Sequence, residues 1–111
     1  MPRRIRQIDI YLPLNYNDGT PIPNEEFQAL EIQFLSRFGG VTSTHRDFPL
    51  QGLWQSGGIT FRDKVVILGI LDFTRHTEFE TLRYLQLLKG RLKRKFDQRE
   101  ILITLQELTA I

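Results

Sequence analysis

The chain of 111 residues has no cysteine, one tryptophan, one methionine and two histidines. The absence of cysteine excludes disulfide bonds, thiolate zinc sites and cysteine nucleophiles. No apolar run is long enough to span a bilayer and no signal-peptide pattern opens the sequence, so we expect a cytoplasmic protein with no membrane partner. A hydrophobic content of 41% and a net charge of +2 are typical of a single globular domain over residues 1–111.

The residues that usually carry catalysis are also scarce. His45 and His76 lie on different predicted connections without the spacing of metal ligands, so we expect no metal and no cofactor. No serine stands in the strand-turn-helix context of a hydrolase. The pair Gly39 and Gly40 follows a predicted helix, whereas phosphate binds at helix starts. The catalytic residues therefore stay unknown, and the sequence favours a protein that is not an enzyme.

Hydrophobic periodicity predicts the element order βαββαβ. The predicted strands cover residues 5–14, 41–55, 59–73 and 100–108, and the predicted helices cover 24–38 and 77–95. The first helix has a core stripe at Phe27, Leu30, Phe34 and Phe38, and Asn24 is its predicted N-cap. This order predicts an α+β ferredoxin-like sandwich, in which a four-stranded antiparallel sheet has two helices on one face.

Two further segments of this fold have a predicted inward face. Thr77 and Glu80 have the spacing of a capping box at the start of the second helix. The inward residues of that helix are predicted to be Leu82, Leu85, Leu88, Leu92 and Phe96. In the last strand, the predicted buried residues are Ile101, Ile103 and Leu105.

The long third strand is apolar on both faces along its second half. Alternation separates one row that includes Val65, Ile67 and Leu71 from another that includes Val66, Leu68 and Ile70. We assign the first row to the core and the second to the helix-free face of the sheet, next to the first strand. A second row of three large aliphatic residues is either a half-exposed sheet face or a surface covered by another subunit. We favour the second alternative, with an oligomer interface made by Tyr11, Val66, Leu68, Ile70 and Leu102.

Trp54 and Arg62 form a candidate ligand-binding pair. If Gln55 lies opposite Ile59 across a three-residue loop, Trp54 faces Thr60 with Arg62 diagonal to it, within reach of a cation–π contact. The alternative is a tryptophan that covers an edge strand or a subunit interface, and that alternative is favoured.

A basic run lies at the end of the second helix. Its members are Lys89, Arg91, Lys93, Arg94 and Lys95. Clustered cations can bind nucleic acid, and Asp9 on the first strand would suit a small nuclease. The alternative for the basic run is surface charge that matches the negative end of the helix dipole. The alternative for Asp9 is a cross-strand ion pair.

Three short motifs resemble those of a family of small uncharacterised bacterial proteins. They are the segment Arg37-Phe-Gly-Gly-Val-Thr42, the Gly-x-Trp at Gly52-Leu-Trp54, and Asp63 followed by an apolar run. The resemblance covers nearly the whole chain and implies a ferredoxin-like fold, but it implies no activity.

Three functional hypotheses follow from these patterns. The first is a non-enzymatic homo-oligomer that pairs through its helix-free sheet face in a regulatory, ligand-binding or assembly role. The second is a nucleic-acid-binding protein or small nuclease that uses the basic run. The third is a small-molecule enzyme with a pocket near Trp54, Arg62 and Tyr11, for which the sequence offers no nucleophile or acid–base pair.

Overall fold

The computed structural model describes residues 1–44 and 49–111, without the side chains at positions 54, 56 and 61. His45 therefore lies outside the described residues. The elements in chain order are β1 (Arg3–Pro13), α1 (Asn24–Phe38), β2 (Val41–Ser43), β3 (Leu50–Ser56), β4 (Ile59–Asp72), α2 (Glu78–Lys95) and β5 (Ile103–Ala110). No helix within the described residues is long and apolar enough to cross a membrane.

Across residues 1–44 and 49–111, the sheet is antiparallel and has five strands in place of the four predicted. Its order is β2-β4-β1-β5, and β3 also pairs with β4. The predicted strand over residues 41–55 is divided into β2, which meets β4 at Ile70 to Leu68, and β3, which meets it from Val65 to Ile59. The α+β class, with two helices and an antiparallel sheet, is confirmed.

The core lies between the helices and one row of β4 side chains. This is the row that the sequence analysis assigned to the helix-free face. Val66, Leu68 and Ile70 are fully buried and belong to one cluster with the buried residues of both helices. The physical reason is register, because Leu68 lies opposite Ile10 of β1 and Ile70 lies opposite Ile8. Residues directly opposite each other share a face, so the buried row of β1 determines the buried row of β4.

Both helices begin and end largely as predicted. The core stripe of α1 is confirmed, and Gly39 ends that helix in the left-handed conformation with φ of 88°. Asn24 is the first residue of α1, so the predicted N-cap is wrong by one position, and Pro23 takes the cap without a side-chain hydrogen bond. The capping box of Thr77 and Glu80 is confirmed.

The predicted inward residues of α2 and the last strand are mostly correct. Leu85, Leu88, Leu92 and Phe96 are buried, but Leu82 is 41% exposed. Strand β5 begins at Ile103, three residues later than predicted. Ile101 is buried ahead of it, whereas Ile103 and Leu105 are half-buried and pack against the core.

Candidate functional site

A shallow depression of about 480 Å³ lies on the helix-free face of the sheet. It spans the centre of the sheet, where Asp9 of β1 lies opposite Gly69 of β4 and Gly69 lies opposite Thr42 of β2. Thr104 of β5 continues this row on the other side of Asp9. The row brings a carboxylate and two threonines together across four strands, although they are far apart in the sequence.

Gly69 forms the floor of this depression. A Cβ atom built on Gly69 would lie 3.0 Å from Thr42 Oγ1 and 3.3 Å from Asp9 Oδ1, which is closer than ordinary van der Waals contact. Gly69 does not have a positive φ, so the backbone does not require glycine there. The absence of a side chain instead lets the aspartate and the threonine approach the strand closely, as expected of a glycine inside a strand.

The walls of the depression are partly apolar. Ile67 and Leu71 lie two residues on either side of Gly69 on the same face of β4, and both are half-buried. Thr44 borders Ile67 through two hydrogen bonds, in which the Thr44 N–H donates to the Ile67 carbonyl at 3.0 Å and the Ile67 N–H donates to Thr44 Oγ1 at 3.3 Å. The site thus offers apolar surface on both sides of a polar centre.

The carboxylate of Asp9 is held by its neighbour on β1. Gln7 Nε2 donates to Asp9 Oδ1 at 3.3 Å and lies 3.4 Å from Oδ2. These are long hydrogen bonds, and an ionised carboxylate accepts about four. Acceptor capacity of Asp9 therefore remains for a ligand in the depression.

A second, smaller cavity of about 190 Å³ lies at the end of the sheet where β1 begins and β4 ends. Here Thr74 donates its N–H to Asp72 Oδ1 at 2.9 Å, and its hydroxyl lies 2.5 Å from Asp72 Oδ1 and 2.8 Å from His76 Nδ1. Arg6, opposite Asp72 in the sheet, donates to the His76 carbonyl at 2.9 Å. These contacts fix the connection from β4 into α2, which is a structural role.

The predicted oligomer interface is wrong for three of its five residues. Val66, Leu68 and Ile70 lie in the core beneath the protein's own helices, and no partner chain can cover them there. Tyr11 is half-buried on the helix-free face, and its N–H donates to the Leu102 carbonyl at 3.0 Å. Leu102 is 52% exposed.

The register of the β3–β4 hairpin differs from the predicted one, in which Trp54 lies opposite Thr60. Trp54 lies opposite Phe61, and Arg62 lies opposite Leu53, so positions 54 and 62 are on opposite faces of the hairpin. The physical reason is a two-residue turn at Gly57 and Gly58, which both have positive φ, where three residues were predicted. The proposed contact of the Trp54 side chain lies outside the described residues.

Part of the basic run is neutralised by neighbouring carboxylates. Lys89 forms an ion pair with Glu100 and Lys95 forms one with Glu26, both at 2.7 Å. The hydrogen bond from Lys89 is the main reason that the pKa of Glu100 is lowered. Within the described residues, no group of three or more metal-binding side chains occurs.

The sequence-based predictions did not include the depression, although Asp9 was singled out. The other residues that line the depression are Gln7, Thr42, Ser43, Thr44, Ile67, Gly69 and Leu71. One signal was present, because an isolated glycine inside an apolar strand indicates a close approach by another group. The partners of Gly69 come from other strands, and the local pattern does not reveal them.

Two solved structures resemble the chain over nearly its whole length. One is a phage SAM lyase in complex with S-methyl-5'-thioadenosine, with 16% identity, a TM-score of 0.69, and coverage of 96% of this chain and 88% of that chain. The other is a phage SAM lyase in its apo state, with 18% identity, a TM-score of 0.68, and coverage of 96% and 84%. No family model and no curated protein matches the chain.

The comparison changes the functional interpretation. At these identities the likeness shows the fold, and both structures of that fold are of an enzyme. This finding contradicts the prediction of a non-enzymatic module, and it contradicts the nucleic-acid-binding alternative. The resemblance to a family of small bacterial proteins stays a prediction.

Proposed function

We propose that the chain is a lyase that cleaves S-adenosylmethionine and releases S-methyl-5'-thioadenosine from the depression on its helix-free sheet face. The observation that carries the proposal is the agreement in fold with a SAM lyase over 96% of the chain. The depression supports it, because it has apolar walls and a few convergent polar groups, as small-molecule sites have. The strand order β2-β4-β1-β5 supports a ferredoxin-like arrangement, with β2 and β3 counted as one interrupted edge strand.

The product identifies the bond that breaks. S-methyl-5'-thioadenosine keeps the adenosyl group, the methyl group and the sulfur of the substrate, so the cleaved bond joins sulfur to the four-carbon amino-acid group. The electron pair of that bond stays on sulfur, and the positive sulfonium becomes a neutral thioether. Charge balance is completed when the amino-acid fragment loses a proton or closes on its own carboxylate.

This chemistry makes modest demands on the protein. A sulfonium leaves without being protonated, so the reaction needs no general acid to activate the leaving group. Binding and orientation of the substrate can supply much of the rate. The lack of a recognisable nucleophile or acid–base pair in the sequence is therefore consistent with the proposed reaction.

The test is an assay of product formation with the purified chain. S-adenosylmethionine is incubated with the protein, and S-methyl-5'-thioadenosine is measured by liquid chromatography and mass spectrometry against a sample without protein, since the sulfonium decomposes slowly by itself. S-adenosylhomocysteine is the matched control substrate, because its sulfur is already neutral and should not leave. Product formation no faster than in the sample without protein would contradict the proposal.

We propose further that the chain forms a homo-oligomer through its helix-free face and works in the cytoplasm. Ile67 and Leu71 leave apolar surface on that face, and the depression is open to solvent in a single chain. A second copy would cover it and exclude water from the bound substrate, which strengthens polar contacts.

A further inference from the structure

We infer that Asp9 recognises the ribose of the nucleoside, with the 2'- and 3'-hydroxyl groups donating hydrogen bonds to its carboxylate. This inference rests on the proposed function, because it takes S-methyl-5'-thioadenosine as the occupant of the depression. It makes Asp9 the residue that selects ribonucleosides over deoxyribonucleosides.

The position of Asp9 fits this role. It lies on a central strand, is half-buried, and is steadied by the long hydrogen bonds from Gln7. Asp9 and Gly69 both line the depression, and Asp9 Oδ1 comes so near to Gly69 that an added Cβ would lie only 3.3 Å from it. A ligand that lies flat over Gly69 therefore reaches the carboxylate directly.

The polarity of the depression matches the order of groups in the nucleoside. Along β4, apolar Ile67 and Leu71 lie on either side of Gly69, and Asp9 lies opposite Gly69. Four strand residues separate the two apolar walls by about 13 Å. S-methyl-5'-thioadenosine has the same sequence of surfaces, with the ribose hydroxyls between a purine and a methylthio group.

The diol is the best chemical partner for this carboxylate. Two neighbouring hydroxyls present two donors to the two oxygens of one carboxylate, which adds geometric specificity. An acidic residue that accepts from the ribose 2'-hydroxyl is also the usual device in dinucleotide sites. The competing assignment is that Asp9 attracts the ammonium or the sulfonium of the substrate.

The test is a double-mutant cycle measured by calorimetry. The wild-type chain and Asp9→Asn are each titrated with S-methyl-5'-thioadenosine and with its 2'-deoxy analogue. We expect Asp9→Asn to weaken binding of the ribonucleoside by about tenfold or more, since the lost hydrogen bonds are to a charged group. The 2'-deoxy analogue should bind the wild type about as weakly as the ribonucleoside binds Asp9→Asn. In Asp9→Asn, removal of the 2'-hydroxyl from the ligand should lower the affinity by less than about threefold.

A matched control and the neutral ligand make the outcomes distinct. Asp18→Asn changes the same chemical group in the β1–α1 loop, where Asp18 accepts from Thr20, and it should leave both affinities unchanged. If Asp9 held the ammonium or sulfonium, Asp9→Asn would weaken S-adenosylmethionine but not the neutral thioether, and the inference would be wrong. Additive effects in the cycle would also overturn it.

Adenosine separates this inference from the proposed function. It carries the same diol but no sulfur, so its binding depends on Asp9 whether or not the chain is a lyase. Product formation from S-adenosylmethionine together with an additive cycle would overturn the ribose assignment alone. Adenosine binding that depends on Asp9, without product formation, would overturn the lyase alone. If none of these nucleosides bound, both would be wrong.

Discussion

At the scale of single residues, Gly69 is the position where the depression is most sensitive to change. Replacement by valine would place atoms between Asp9 and Thr42, where even one Cβ is crowded. Valine suits a strand, and Gly69 does not have a positive φ, so the backbone should tolerate the change. We expect Gly69→Val to lower the rate of S-methyl-5'-thioadenosine formation by about tenfold or more, while circular dichroism stays that of the wild type.

Gly90 provides the matched control for this prediction. It lies in α2, and a Cβ there meets Arg94 Nη1 at 3.5 Å, an ordinary contact. Gly90→Ala should raise stability by up to about 1 kcal/mol through helix propensity and leave activity unchanged. Full activity of a folded Gly69→Val variant would show that the depression is not the substrate site.

At the scale of secondary-structure elements, the start of α2 should be sensitive to pH. The pKa of Glu80 is lowered, first by the hydrogen bond from the Thr77 N–H and then by that from the Thr77 hydroxyl. A carboxyl whose folded pKa is depressed stabilises the fold above its unfolded pKa, about 4.3, and this stabilisation is lost as pH falls through the folded pKa. Wild type should therefore be more stable than Glu80→Gln at about pH 6, and this difference should shrink by about pH 3.

Urea denaturation of three variants would check this prediction. Thr77→Ala removes the hydroxyl of the capping box and should lower the free energy of unfolding by about 1 kcal/mol at neutral pH. Glu78→Gln removes a charge from the same turn outside the capping box, and controls for the helix dipole. A difference between wild type and Glu80→Gln that does not change with pH would contradict the expected role of the carboxylate.

Strand β4 also shows how far a hydrophobic pattern predicts a fold. The polar residues Gln7 and Asp9 alternate with the apolar residues of β1, so alternation alone distinguishes the buried row of that strand. Along residues 65–71 of β4, both rows are apolar apart from Gly69, and alternation cannot choose between them. The choice is made by the register with β1, which depends on connections and packing between distant parts of the chain.

The corrected face of β4 gives a test of its own. Leu68→Ala should lower the free energy of unfolding by about 2–5 kcal/mol, because it leaves a cavity in the core. Leu87→Ala, at a site 62% exposed on α2, should change it by about 0.5 kcal/mol or less. Equal and small effects in urea denaturation would mean that Leu68 faces solvent or another chain, as the sequence analysis predicted.

At the scale of the whole molecule, the candidate site was less predictable than the fold. Asp9 could be singled out as a strand aspartate, but its neighbours Gly69 and Thr42 come from other strands. The hairpin turn at Gly57 and Gly58 shifts the register by a single residue and separates the predicted pair of Trp54 and Arg62. A site assembled across strands depends on every register between them, whereas the order of elements depends on local patterns alone.

The molecule is elongated because the β3–β4 hairpin extends past the rest of the sheet. Its dimensions are 46 × 32 × 25 Å. Within the described pairings, residues 59–63 of β4 pair with β3, because β1 pairs with β4 only from Val65 onward. A two-stranded hairpin is marginally stable alone. Ile59 is 60% exposed on this extension, and alternation along β4 puts it on the same helix-free face as Ile67 and Leu71, so we expect the extension to pack against a second copy of the chain.

Light scattering coupled to size-exclusion chromatography tests this expectation. The wild type at micromolar concentration should have a mass that is a multiple of the chain mass. Ile59→Lys should shift the mass towards the monomer, because burial of an unpaired charge in an interface is costly. Ile32→Lys, at a site 68% exposed on α1, should leave the mass unchanged, since the helices lie on the other side of the sheet. A monomeric wild type would contradict the oligomer, and the substrate site would then have to be complete within one chain.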